Sequence, residues 1–390
     1  MNSGNAGPVP ETWAHRADLA EMAIQDRHAS RLWGLPRTNL AVTAWPPTAR
    51  EKTFATWHYW WQAHYLDCLI DAEQRRSTKA RRAMIVRTMR AIRIRNRGNV
   101  SKNRYYDDKA WLALALNRVT DSEQVSRPKQ LVDLEFNILA GLDSLTGVLP
   151  WRTDENFFNV PANGPAAIMM ARTGRVDKAR EVLDWIFTNL HADNGLIQDG
   201  IRLLVDGPRP TSVTYTYNQG TVLGAALEIA LALEDQPEAQ MEYIAQIRAL
   251  VQAIGMHSAT PAGVIDNPAD GGPDGAAAGD GGLFKGILAR YLADVALRLP
   301  DDPANAATAK AAERLVMASA EALWSNRLEV DGLPIFPARW TRGARLPHNY
   351  GMGPASISEA VSAPRIAERD LSVQLSGWML LEAAAKLAAR

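Results

Sequence analysis

The stretch Asn103-Arg-Tyr-Tyr-Asp-Asp-Lys-Ala-Trp-Leu-Ala-Leu-Ala115 sets two carboxyl groups, Asp107 and Asp108, where a polar run meets a strongly apolar one. Consecutive Cα atoms lie about 3.8 Å apart, and neighbours on a helix point in different directions. Two such carboxyls can therefore flank one bond at the roughly 5–5.5 Å separation used for double displacement at a glycosidic carbon. Their proximity splits their titration: ionisation of one discourages ionisation of the other, which leaves a proton donor beside a charged nucleophile. Aspartates at a helix start also cap free amides and oppose the positive dipole end, and spacing alone leaves both readings open. A magnesium-diphosphate site would need another carboxylate one turn on, where Trp111 and Leu112 stand. No metal and no cofactor are expected.

Three further groups of residues have chemical potential. Trp57-His-Tyr-Trp-Trp-Gln-Ala-His-Tyr65 is densely aromatic, and Trp (12) outnumbers both Phe (7) and Tyr (9) in the chain. An indole offers a flat apolar face and an edge donor, which suits the C–H faces and hydroxyl rim of a pyranose. Core packing also uses Trp in helices, and Trp60 and Trp61, being adjacent, are not expected to point inward together, so one of them is a candidate platform. Thr214-Tyr-Thr-Tyr-Asn-Gln-Gly220 brings Tyr217, Asn218 and Gln219 to the start of an apolar helix. Asn218 and Gln219 carry the donors and acceptors needed to read hydroxyls or to cap the helix, and Gly220 permits close approach. Finally, Arg75 to Arg104 includes Lys79, Arg81, Arg82, Arg87, Arg90, Arg93, Arg95 and Arg97 and no acidic residue. Such a run is a solvated helix face or a patch for an anionic surface.

The elements that must position these groups are helical. Ala, Leu and Ile recur at three- and four-residue spacings between Gly- and Pro-containing breaks, giving about twelve helices over approximately 11–31, 51–74, 78–97, 107–119, 127–143, 160–173, 175–190, 216–233, 237–255, 282–298, 303–326 and 367–389. Strand-like alternation is confined to Gly195–Val205 and Leu328–Phe336, the second broken by Asp331-Gly332. No fixed repeat period marks a solenoid, so the helices are expected to close into a ring. The loops 144–159, 191–215, 256–281 and 327–366 would then shape a cleft at one end. Within them, Asp266–Gly282 resembles a calcium loop only superficially, because Pro268 and Ala277 stand where ligands are needed. One domain over 1–390, with 1–10 as a flexible tail, is the expected organisation.

Composition narrows the function classes. The 43 Lys+Arg residues balance 43 Asp+Glu, which argues against a general nucleic-acid binder. The lone Cys68 excludes intrachain disulfides and cysteine-based zinc frameworks. No apolar run approaches the roughly 18 residues of a membrane span. Met1 to Pro10 has neither the basic nor the apolar region of a secretory signal, so a cytoplasmic location is expected.

Together these segments resemble glycoside hydrolase family 76, the endo-α-1,6-mannanases. The resemblance rests on Trp60-Trp61-Gln-Ala-His with Asp67, Tyr106-Asp-Asp-Lys-Ala-Trp-Leu-Ala-Leu-Ala115, Thr216-Tyr-Asn-Gln-Gly220 and Phe284-Lys-Gly-Ile-Leu-Ala-Arg-Tyr-Leu292, in that order. Weaker echoes are Asn159–Ala167, Gly195-Leu-Ile-Gln-Asp-Gly200 and Gln374–Leu387. It implies an all-α (α/α)6 barrel, with Asp107 as nucleophile and Asp108 as general acid/base. Trp60 or Trp61, Tyr217, Asn218, Gln219 and Asp280, the last just before Phe-Lys-Gly, would line the subsites. The implied reaction is retaining hydrolysis within an α-1,6-mannan backbone, with contact to an anionic glycolipid carrier through the basic run as an additional expectation. Mannosyl transfer through the same intermediate and idle mannan binding are the alternatives. The Asp266–Gly282 stretch lacks the cysteines often found there in the family, which fits a reducing compartment.

Overall fold

A computed structural model describes residues 12–123, 128–271, 278–347 and 366–390; the expected 1–10 tail and parts of the 256–281 and 327–366 loops lie outside them. Twelve long helices follow one another: α1 (Trp13–Arg27), α2 (Tyr59–Arg75), α3 (Lys79–Arg95), α4 (Tyr106–Glu123), α5 (Lys129–Leu139), α6 (Val160–Arg172), α7 (Val176–Leu190), α8 (Thr216–Ala232), α9 (Pro237–His257), α10 (Gly281–Arg298), α11 (Pro303–Ser325) and α12 (Leu371–Ala388). The even-numbered helices pack side by side as an inner ring, closed by α12 against α2, and the odd-numbered ones lie outside them. This is an (α/α)6 barrel. The burial pattern gives the physical reason for the two layers. Helix α8 is buried from Thr216 to Ala230, whereas α7 buries only a stripe of Ala179, Val182, Leu183, Ile186 and Leu190.

Inner helices this close need small residues at the crossings. A Cβ on Gly220 would lie 2.9 Å from Leu288 Cα, and one on Gly286 would lie 2.7 Å from Ser376 Cα, so α8 meets α10 and α10 meets α12 nearly backbone to backbone. The expected helix over 51–74 is corrected. Thr48 and Glu51 form a capping box on a single turn, Ala49–Lys52, after which Phe54 (φ 55°) and His58 (φ 44°) take left-handed conformations that no helix accommodates. Helix α2 starts only at Tyr59. The two strand-like stretches both become hairpins, β1 (Gly200–Leu204) with β2 (Gly207–Thr211) and β3 (Leu328–Val330) with β4 (Leu333–Ile335), and Phe157–Asn159 adds a third strand to the first.

The centre of the ring is polar. Asp67 and Asp71 of α2 face Arg118 of α4, Arg290 of α10 and Lys386 of α12. Arg118 Nη2 and Arg290 Nη2 lie 2.6 and 2.7 Å from the two Asp71 oxygens, and Lys386 Nζ lies 2.8 Å from Oδ1. Asp67 pairs with Arg118 and, at 3.1 Å, with Arg290. Glu228 of α8 joins Arg172 of α6 and Arg298 of α10, each at 2.7 Å. These ion pairs bridge all six inner helices and line a cavity of about 430 Å³.

The basic run divides. Arg81 is buried against Asp18 (2.7 Å) and Glu21 (2.5 Å) of α1, Arg75 pairs with Asp18 and Glu382, and Arg82 with Glu73. The expectation of one solvated face is corrected for these residues, because their carboxylates come from neighbouring helices. Arg87, Arg90, Arg93 and Arg97 are exposed.

Three cations converge on Asp71, which holds its carboxyl well below the ordinary range against the cost of burial. Its stabilisation is thus present at neutral pH and lost only as pH falls through that depressed value. Replacing Asp71 by Ala should cost about 3 kcal/mol by taking the partner of Lys386 and leaving Arg118 and Arg290 to share Asp67. Denaturant unfolding at neutral pH checks this; a change within measurement error would show the network to be dispensable.

Candidate active site

Because the inner helices run the same way, their N-termini gather at one end and bring the chemical residues together there. Trp60 and Trp61 stand on the first turn of α2, Asp107 and Asp108 on that of α4, Tyr217, Asn218 and Gln219 on that of α8, and Asp280 immediately before α10. The positive ends of these helices favour negative charge in the cleft.

Asp107 and Asp108 are partly open to the cleft yet closely surrounded by protein. Asp107 Oδ1 accepts from the Asp108 backbone amide at 2.8 Å and Oδ2 accepts from Trp151 Nε1 at 3.0 Å. Asn103 Nδ2 donates to Asp108 Oδ2 at 2.5 Å. Neither carboxyl forms an ion pair among the described residues. Desolvation pushes Asp107 up to about 6, opposed by its two donors. Desolvation and then the Asp107 charge push Asp108 well above the carboxylate range, and Asn103 only partly offsets them. Burial and neighbouring carboxylates raise both carboxyls, Asp108 further than Asp107, so the first charge on the pair is favoured at Asp107. This ordering makes the two carboxyls electrostatically inequivalent.

Trp60 Nε1 and Trp61 Nε1 both donate to Asp280 Oδ1, at 3.0 and 2.9 Å. Adjacent indoles thus converge on one carboxylate although their rings occupy different places. Trp61 is buried and stacks on exposed His58 at 4.0 Å. Trp60 is only half-buried and stands between Trp111, Tyr217 and Phe284, with ring centroids 6.3–6.5 Å away. Tyr217 stacks on Phe284 at 3.9 Å.

Asn218 and Gln219 lie fully buried. Gln219 uses its amide on the chain: Oε1 accepts from Ile197 N at 2.8 Å, and Nε2 donates to Ile197 O (2.8 Å) and Tyr215 O (3.0 Å). The expected reading of hydroxyls by Gln219 is corrected to a clamp on the 195–199 turn, since no part of its amide remains for a ligand. Asn218 Nδ2 donates to Asp199 Oδ1 at 3.0 Å, so its contact with the site runs through that carboxyl. Desolvation raises Asp199 to about 6. Asp199 was not singled out from sequence, and its one signal was the Gly195–Gly200 echo. Asn103, Trp151 and His58 were also missed, because the loops that carry them have no periodicity. Among the described residues no group of three or more His, Cys, Asp or Glu side chains is arranged to hold a metal ion.

The profile described as Glycosyl hydrolase family 76 matches residues 39–376. The chain belongs to glycosyl hydrolase family 76. It is therefore a glycoside hydrolase by family. The GH76A α-1,6-mannanase from Salegentibacter sp. HEL1_6 superposes with a TM-score of 0.75 at 25% identity, over 96% of this chain and 99% of that one. An inactive variant of that mannanase, with two consecutive aspartates changed to asparagine, is solved with α-1,6-mannotriose (24% identity, TM-score 0.75, 96% and 99% covered). Dfg5 from Chaetomium thermophilum, solved with glucosamine, superposes with a TM-score of 0.74 at 15% identity, over 98% and 92%. No match is found among curated proteins.

The raised Asp107 value has a thermodynamic consequence. The folded state holds a proton there between about pH 4 and 6 that the unfolded chain has released, so ionisation costs stability as pH rises through that window. An amide carries no such cost. Relative to wild type, Asp107→Asn should gain up to about 3 kcal/mol between about pH 4 and pH 7, less whatever solvent in the cleft screens. Denaturant unfolding at the two pH values measures it, and a difference independent of pH would remove the buried-charge argument.

Proposed function

We propose that this family 76 protein hydrolyses internal α-1,6-mannosidic bonds of a mannan backbone with retention of configuration. The observation that carries the reading is the adjacent, unequal pair: Asp107 accepts from the Asp108 amide and the Trp151 indole, while burial and the Asp107 charge push Asp108 the further up. The Asp107 carboxylate attacks the anomeric carbon while Asp108 protonates the departing glycosidic oxygen, breaking that C–O bond and forming a mannosyl ester on Asp107. Asp108, now ionised, takes a proton from water as its oxygen attacks the same carbon. The ester bond breaks and the Asp107 carboxylate is restored.

Around this centre Trp60 offers its face to a sugar ring, Asp280 anchors both indoles, Tyr217 packs beside Trp60, and Asp199, held by Asn218, adds a further carboxyl. The linkage and sugar are supported by the α-1,6-mannanase likeness and by the mannotriose bound to its inactive variant. Should a sugar hydroxyl replace water, the same intermediate would yield transfer, and product analysis on unbranched α-1,6-mannan separates the two outcomes. A mannan on an anionic carrier would meet Arg87, Arg90 and Arg93 on α3 and Arg97 just after it, where the chain leads into the loop before the catalytic pair.

Proton NMR of the first-formed product should show α-mannose before mutarotation, because a double displacement inverts twice. Asp107→Asn and Asp108→Asn should each lower kcat on unactivated mannan by at least about a thousandfold. β-Mannose appearing first, or substantial turnover in either folded variant, would contradict the assignment.

A further inference from the structure

Three stretches distant in sequence meet on the outer surface next to α2. They are the 31–38 turn, the turn at Ala49–Lys52 with the residues after it, and the C-terminal half of α3. Asn39 N donates to Arg87 O (3.3 Å) and Asn39 Nδ2 to Thr88 Oγ1 (2.9 Å), while Trp33 Nε1 donates to Thr53 O (2.8 Å). The Arg95 guanidinium lies over both Trp33 (6.0 Å) and Trp57 (5.1 Å), tying this face to the lead-in of α2 and its cleft residues.

The face has two unusual properties. Arg31, Arg37, Lys52, Arg87, Arg90 and Arg93 are all exposed, and none forms an ion pair among the described residues. The one carboxylate on these stretches, Glu51, is committed to Arg369 at 3.1 Å. Since the whole chain is charge-balanced, with 43 basic and 43 acidic residues, this is a local concentration of charge. Large apolar side chains stand among the cations: Trp33 is 54%, Leu35 39% and Val86 62% exposed. Trp33 also sits at φ 50°, a conformation costly for a bulky residue. Little burial is gained in return.

We propose that this face docks on the surface of an anionic lipid bilayer. A nucleic acid or acidic protein would satisfy the arginines, but Leu35 and Val86 would gain nothing from a phosphate backbone. The bilayer interface takes both components at once, with headgroup phosphates for the cations and the headgroup–acyl boundary for an indole and short aliphatic side chains. Each basic residue near such a surface is worth roughly fivefold in binding. The protein then sits peripherally, and no helix among the described residues is long and apolar enough to cross the membrane.

Co-sedimentation with vesicles tests the proposal, using phosphatidylcholine alone and phosphatidylcholine with roughly a third phosphatidylglycerol. The full chain should bind the anionic vesicles at least about tenfold more tightly and lose most of that preference when salt shortens the Debye length from about 10 Å to about 3 Å. Combining Arg87→Gln, Arg90→Gln and Arg93→Gln should weaken binding roughly a hundredfold, and Trp33→Ala or Leu35→Ala should weaken it with the charge unchanged. Thermal unfolding verifies that each variant is folded. No binding to anionic vesicles, equal binding to both vesicle types, binding insensitive to these substitutions, or tighter binding to duplex DNA through the same arginines would each overturn the proposal.

Discussion

Two carboxyl groups on consecutive residues, closely surrounded by protein and without a salt bridge among the described residues, resist ionising together at neutral pH. That constraint at Asp107 and Asp108 sets the chemistry of the cleft, because the environment decides which of them keeps the proton. Asp107 has the Asp108 amide and the Trp151 indole to stabilise its charge. Asp108 also has two donors, Asn103 and the Trp60 backbone, but burial and its charged neighbour outweigh them. Under the proposed mechanism the first attacks and the second donates.

The barrel treats the enclosed carboxylates farther from the cleft in the opposite way. Asp67, Asp71 and Glu228, further along the inner helices, are matched by Arg118, Arg172, Arg290, Arg298 and Lys386, and these ion pairs tie the ring together. One scaffold thus has a compensated layer that ties its helices together and an uncompensated layer at the candidate site. The separation follows from helix direction: the inner N-termini, with their free amides and positive dipole ends, all lie at the uncompensated end. Carboxyls that would be intolerable elsewhere are accommodated there at a cost in stability, a common relation between active sites and folding.

Much of this was legible in the sequence, for identifiable reasons. The twelve helices showed through their spacing, because inner helices such as α8 and α12 are apolar on every side and the outer ones carry a clear stripe. The aspartate pair was visible because its neighbours change abruptly from polar to apolar. Other features depend on tertiary approach, which spacing does not encode. The acids that neutralise Arg81 are about sixty residues away on α1. Trp60 and Trp61 diverge at the helix surface, yet their indole edges meet at Asp280 because the loop before α10 reaches across to them. Gln219 has the chemistry of a ligand-reading amide, and only the turn at Ile197 reveals what it holds. The break before α2 was hidden because Phe54 and His58 adopt left-handed conformations usually signalled by Gly, Asn or Asp.

The central claim is that the charged member of the pair is Asp107 and that it becomes covalently attached to the sugar. Trapping tests this most directly: an Asp108→Ala variant, lacking the base for the second step, is mixed with an α-1,6-mannobiosyl fluoride, whose leaving group needs little protonation. The adduct is then located by peptide mass spectrometry. The account predicts a mannobiosyl ester on Asp107; an adduct on any other residue, or fluoride release at an undiminished steady rate with no adduct, would contradict it.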